Sequence, residues 1–289
     1  MKVLVVHNRY RSALPSGENN VVDNEIELLR EAGVDVHVFL RSSDEIAVMN
    51  TRQRLAVATS PLDGRSSRAA LRSLLAAVRP DVVHLHNPYP LISPTVIGDA
   101  RANGAAVVAT VNNFRLVCMN GYFFRDGEVC TACEGSSVPW PGVVHACYRG
   151  STAQSSVMAA ALARFLAVSP FVAERLRSWG VPEDRVVVKP NTTPDLGRAV
   201  SAGSGFLFTG RLSDEKGVLL LLDAWVASGL DGVERLVIAG DGPLRAEVER
   251  RAAGMGSVVV VGALTPEQVR DWRTATAVGA AVRRRRVRG

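Results

Sequence analysis

The sequence predicts an α/β protein built from two doubly wound, Rossmann-like domains, the second of them incomplete. Three observations carry this. Short β-rich apolar runs alternate with helical patterns, the mark of a parallel sheet covered by helices. A Gly-, Ser- and Pro-rich break over residues 191–203 divides these runs into two series. At 289 residues the chain is long enough for two cores of ordinary size. With 47% hydrophobic and 6% aromatic residues the composition is globular, and no apolar run reaches the roughly 18 to 20 residues of a membrane span.

The first domain, residues 1–190, carries six strand-like runs: KVLVVHN, DVHVFL, DVVHLH, GAAVVATVNN, FLAVS and RVVVKPN. Between the first two, Val22, Ile26 and Leu29 recur at helical spacing, Asn20 is the expected cap and Gly33 follows the end. The opening MKVLVVHN is a strand and not a signal peptide, because its apolar part is brief and no small-residue cleavage site follows, so a cytoplasmic protein is expected. The second domain, residues 204–289, offers GFLFTG, ERLVIAG and SVVVVGAL, three strands where such folds use five or six. The helical pattern that begins at RDWRTATA is expected to dissolve into a basic tail. Two such domains facing one another would place the carboxyl ends of both sheets, where ligands bind, around one cleft.

The formal net charge is +6, but Arg283, Arg284, Arg285, Arg286 and Arg288 supply five of these charges within the last seven residues. A basic tail gives affinity for phosphates without a surface that holds them in register, so specific nucleic-acid binding is not expected.

The run GRLSDEKG, residues 210–217, follows an apolar strand and precedes a helix bearing Leu221, Leu222 and Trp225. Arg211 leaves the strand end and Lys216 stands at the helix start. A helix N-terminus attracts anions, and two cations beside it would add charge-assisted hydrogen bonds, which suits a diphosphate. A solvated turn is the plain alternative. Downstream, LVIAGDGPLRAEVE runs a strand into Gly240-Asp241-Gly242, a turn that brings backbone close to a ligand, and SVVVVGAL ends on Gly262 in the same way.

FTGRLSDEKGVLLLLDAW, LVIAGDGPLRAEVE and VVVVGALTPEQV together resemble the donor half of glycosyltransferase family 4, the retaining GT-B enzymes that move a sugar from a nucleotide-sugar. HNRYRSALPSGENNVVDNEIELLREAGVDVHVF, DVVHLHNPYPLISP, NNFRLVCMNGYFFRDGEVCTAC and AVSPFVAERL are similar to its acceptor domain, so the likeness spans roughly residues 1 to 272. The resemblance implies that Arg211 and Lys216 bind the donor diphosphate and stabilise the leaving nucleotide without a metal ion, with Gly210, Gly240, Asp241, Gly242 and Gly262 on the donor side. It implies that Ser16, Gly17 and Glu18 approach the reacting groups, although a plain β-to-α turn would account for that loop as well. It further implies a lipid-linked or oligosaccharide acceptor, a role in polysaccharide or glycoconjugate synthesis, and at most peripheral contact with the inner membrane face. A truncated homologue that binds glycan or zinc without transfer, and a GT-B epimerase or phosphorylase, are the competing expectations.

Two departures stand out. Where the family commonly has a histidine, Thr110-Val111-Asn112-Asn113 places Asn112, which hydrogen-bonds but cannot take up a proton. The E-x7-E segment that contacts donor sugar and ribose has no match after Gly262, and the end reads as truncated or frameshifted.

Cys118, Cys130, Cys133 and Cys147 lie within one loop, residues 118–147, separated by eleven, two and thirteen residues. That is close to a four-thiolate pattern, so a structural zinc ion is expected there, with His145 as an alternative ligand and with free thiols or disulfides as the other readings. A subset of the family has a similar loop, which would shape acceptor choice. His84 and His86 alternate on one strand and so share a face, as cleft lining or as core. His7 is open to the same two readings, and Trp179 fits a core or helix-end position.

Overall fold

The structure is a computed structural model and describes residues 1–12, 16–114, 124–125, 128–129, 160–193, 203–276 and 278–280. The four cysteines, His145 and the arginine tail lie outside the described residues. The chain divides into two compact units, Met1–Phe123 with Cys130–Pro194, and Phe124–Val129 with Asp195–Gly289.

In the first unit, β1 (Lys2–Arg9), β2 (Asp35–Ser42), β3 (Val82–Leu85), β4 (Ala106–Val111), β7 (Arg164–Ala167) and β8 (Val186–Val188) form one sheet in the order β2-β1-β3-β4-β7-β8. Every pairing in it is parallel. All six strand-like runs of the sequence are in this sheet. Their near-continuous apolar character has a direct cause, since a parallel sheet is buried on both faces. Along β1, Leu4 and Val6 join a core with Leu71 and Leu75 of α3 (Arg65–Val78) and Val96 and Ile97 of α4 (Thr95–Ala102). Val3 and Val5 point to the other face, onto Val22 and Ile26 of α1 (Gly17–Glu31). The helix α2 (Thr51–Asp63) precedes α3, and α5 (Pro170–Ser178) follows β7, with Trp179 as its C-cap packed on the core. The strand order reverses between β1 and β3, and the carboxyl edge at such a switch point is where doubly wound sheets bind ligands.

The cap of α1 is Ser16, whose Oγ accepts a hydrogen bond from the Asn19 backbone N–H at 3.5 Å. The expected cap, Asn20, lies inside the helix. Both residue types cap well, and the earlier one wins because Ser16 has the extended backbone of a cap, at φ −123° and ψ 117°.

The strands β5 (Phe124–Arg125) and β6 (Glu128–Val129) pair as a small antiparallel hairpin. The second unit's own sheet runs β11-β10-β9-β12, all parallel, from β9 (Phe206–Thr209), β10 (Leu236–Ala239), β11 (Val258–Gly262) and β12 (Val278–Ala280). Three strands were expected here and a fourth is present. The apparent loss of helical pattern near residue 276 is the end of α8 (Pro266–Ala275) and the start of β12, which is too short to show a period of two. The core gathers Phe208, Leu212, Leu236 and Ile238 against Val218, Leu222 and Trp225 of α6 (Val218–Ala227) and Val248 of α7 (Arg245–Ala252).

Candidate functional site

At the carboxyl end of β9 the chain makes a turn locked from beneath. Leu212 is fully buried and acts as its plug. The Leu212 N–H donates to the Asp241 carbonyl at 2.9 Å, the Leu212 carbonyl accepts from the Leu244 N–H at 3.0 Å, and the Gly210 N–H donates to the Ala239 carbonyl at 3.0 Å. The turn from Gly210 to Leu212 thus interlocks with the turn after β10. Gly240 and Gly242 make this possible. A Cβ on Gly240 would stand 1.8 Å from the Gly210 carbonyl oxygen, and one on Gly242 would stand 2.5 Å from that of Leu212. The demand for glycine in GDG therefore comes from the neighbouring turn.

Above this plug, Arg211 and Lys216 are both exposed. Lys216 closes a short 3-10 turn, Asp214–Lys216, and stands before the α-helix; Gly217, at φ 68°, then opens α6 with no side-chain cap among the described residues. Ser213 is buried and donates from Oγ to Glu215 Oε1 at 2.6 Å, which turns that carboxylate back toward its own backbone. Arg211 and Lys216 thus precede, along the chain, a helix start with no side-chain cap among the described residues, an arrangement suited to an anion. Asp241 is engaged locally: its Oδ1 accepts from the Gly242 N–H at 2.7 Å and its Oδ2 faces Arg245 at 3.4 Å. Gly262 ends β11 in the left-handed region, at φ 75°.

In the first unit the predicted acceptor-side residues converge. Glu18 Oε2 accepts from Tyr10 Oη at 3.0 Å and from Asn113 Nδ2 at 2.9 Å, tying the start of α1 to the end of β4. Ser16 and Gly17 sit on the same helix start. Asn112 Oδ1 accepts from Asn191 Nδ2 at 2.9 Å, while its buried Nδ2 has no hydrogen-bond partner among the described residues. His86, Asn87, Tyr89, Thr110 and Asn112 line one hollow at the ends of β3 and β4.

Below that hollow lies a cluster in which the sequence reading missed one member. His84 and His86 do share a face, with ring centroids 4.3 Å apart. Both meet Glu25 of α1, His84 Nδ1 at 3.3 Å from Oε1 and His86 Nε2 at 3.8 Å from Oε2, and Lys189 Nζ stands 3.4 Å from Oε1. His84 Nε2 also pairs with Thr110 Oγ1 at 2.7 Å. A signal for Glu25 was present: it falls three residues after Val22 and beside Ile26, inside the apolar stripe of its helix, where a carboxylate is out of place. His7 Nε2 donates to Asn19 Oδ1 at 3.0 Å, while its buried Nδ1 has no hydrogen-bond partner among the described residues.

Burial is the main cause that holds all three imidazoles below the ordinary histidine value. His7 is lowered against the help of its Asn19 hydrogen bond, His84 against the attraction of Glu25, and His86 furthest, with repulsion from His84, His7 and Lys189 added. Such groups take up protons in the unfolded chain, near pH 6.5, before they do so in the fold. Stability present above about pH 6.5 is then lost as pH falls below it toward the lower folded values. Thermal melts between pH 7.5 and 5.5 are expected to show a falling midpoint. His7→Gln, which retains a donor for Asn19, should make that fall shallower; an unchanged slope would remove His7 from this account.

A family model described as Glycosyltransferase Family 4 matches residues 15–194, and one described as Glycosyl transferases group 1 matches residues 203–287. No curated protein matches the sequence. Among solved structures, the chain is similar to the lipopolysaccharide outer core galactosyltransferase WaaB in its apo form, with TM-score 0.52 and 15% identity over 96% of this chain and 72% of that one. It is similar to UDP-GlcNAc 2-epimerase from Neisseria meningitidis bound to UDP-GlcNAc, with TM-score 0.56 and 13% identity over 96% and 76%. It also matches Anabaena Alr3699/HepE in complex with UDP and glucose, with TM-score 0.55 and 13% identity over 98% and 74%. Identities this low establish a shared GT-B fold.

Proposed function

The chain belongs to glycosyltransferase family 4, and on that premise we propose that it transfers a sugar from a nucleoside-diphosphate sugar, with UDP as the nucleotide, to a lipid-linked or oligosaccharide acceptor. The carrying observation is the turn after β9, which bears the exposed Arg211 and Lys216 and leads into a start of α6 with no side-chain cap among the described residues. As the bond from the sugar to the diphosphate breaks, negative charge grows on the leaving phosphate oxygen. Two cations and the helix-start N–H groups, once gathered on the diphosphate, stabilise the transition state more than the ground state, so no metal ion is required for the step. The retaining outcome is inherited from the family resemblance. In the first unit, Glu18, Asn112 and Asn113 supply acceptors and donors of the kind that hold sugar hydroxyls.

A second reading, isomerisation of a UDP-sugar on the same clamp, draws support from the likeness to UDP-GlcNAc 2-epimerases. One experiment tests both. UDP is expected to raise the melting temperature of the purified chain, by about 2.7 kcal/mol of added stability at a hundredfold excess over Kd. Incubation with a panel of UDP-sugars, acceptor glycans and lipid-linked sugars should release UDP only when an acceptor is present. An isomerised sugar with no UDP released would establish the epimerase instead, and binding without turnover would make the chain a nucleotide-binding homologue that transfers nothing.

A further inference from the structure

We propose that Glu25, His84 and His86 form a buried three-ligand site for a divalent transition-metal ion of the zinc class, bridging α1 and β3 within the first unit. One oxygen of Glu25 and one nitrogen from each ring all lie within 4.8 Å of one another, and all three residues are buried. His84 Nδ1 lies 3.3 Å from Glu25 Oε1 and His86 Nε2 lies 3.8 Å from Oε2 of the same carboxylate, separations that ligands about 2.0 to 2.2 Å from a shared four-coordinate ion can span. Two imidazoles and one carboxylate are a donor set for zinc-like ions, whereas calcium and magnesium select oxygen. A fourth position remains for a water, as in other three-ligand sites.

Two further observations point to a ligand. Both ring nitrogens of His86 are buried without a hydrogen-bond partner among the described residues. A polar ring sealed in this way is costly, and a metal bound at Nε2 relieves the cost at that nitrogen. His84 is oriented by its hydrogen bond to Thr110 Oγ1, so that Nδ1 faces Glu25. A second hydrogen bond on the far side of the ring is how metal-ligating histidines are commonly fixed.

Lys189 is the built-in competitor, since its ammonium occupies the Glu25 Oε1 side. Its side chain is 36% exposed and can turn to solvent when an ion enters. The residue therefore sets the affinity of the site without being part of it.

The test is zinc titration of the full chain, stripped with chelator and with its thiols alkylated so that the cysteines cannot contribute, against a chromophoric competitor. One equivalent is expected to bind. Thr110→Val, which keeps the shape and removes the orienting hydrogen bond, should weaken it by about 10- to 100-fold. His86→Gln should abolish it, and Lys189→Met should tighten it. Circular dichroism of the stripped variants checks the fold, and Thr110→Val and Lys189→Met decide the matter even if His86→Gln does not fold. No zinc bound by the alkylated chain, or the same affinity in wild type, Thr110→Val and Lys189→Met, overturns the proposal.

Discussion

Gly240→Ala lowers the melting temperature of the second unit by on the order of 10 °C or more, the consequence of about 3 kcal/mol of overpacking in a domain of this size. The expected Cβ lies 1.8 Å from the Gly210 carbonyl oxygen, and backbone cannot step aside as a flexible side chain can. Relief would require separating the two turns, which breaks the bonds from Leu212 to Asp241 and from Leu244 to Leu212 and exposes the Leu212 plug. Gly240 is also at φ 155°, a conformation strained for alanine. Gly256→Ala is the control, because nothing lies within 4 Å of its would-be Cβ. Equal melting temperatures for the two variants would show that the turns do not interlock as described. Nucleotide binding should weaken along with stability in Gly240→Ala, since the displaced turn carries Arg211.

Arg211→Ala and Lys216→Ala are each expected to reduce kcat/KM for sugar transfer by about 10²- to 10³-fold, the scale of losing one preorganised donor aimed at developing charge. Both side chains are exposed and lie outside the core, so the melting temperature should stay within the range of ordinary surface substitutions. The double variant should lose less than the product of the single losses, because the two act on one phosphate group as a unit. Read as UDP affinity by calorimetry, each substitution should weaken binding by roughly 10- to 100-fold, as expected for a hydrogen bond to a charged group. A loss of melting temperature in step with activity would instead assign these residues a structural role. Affinity unchanged in both variants would move the diphosphate elsewhere.

The strands of both units were legible because a parallel sheet buried on both faces needs unbroken apolar runs, and KVLVVHN, DVVHLH and LVIAG have no other economical use. The turn chemistry was legible in part. Arg211 and Lys216 stood out by their place between a strand and a helix, whereas the demand that the neighbouring turn makes for glycine at Gly240 and Gly242, in addition to the donor-side place expected of them, was not legible. The cap at Ser16 and the strand β12 were missed for opposite reasons: two good capping residues compete for one helix start, and three residues are too few to carry a pattern.

By itself, then, the sequence determined the α/β alternation, the break between the two series of strands and the cationic turn, all features set by neighbours a few residues apart. Tertiary structure alone decided the order β2-β1-β3-β4-β7-β8, the interlocked glycine turns and the meeting of Glu25 with His84, His86 and Lys189. The reason is physical. Parallel pairing and helix docking join groups separated by 59 or more residues in that last cluster, and nothing local in the chain records which of many buried neighbours a side chain will meet.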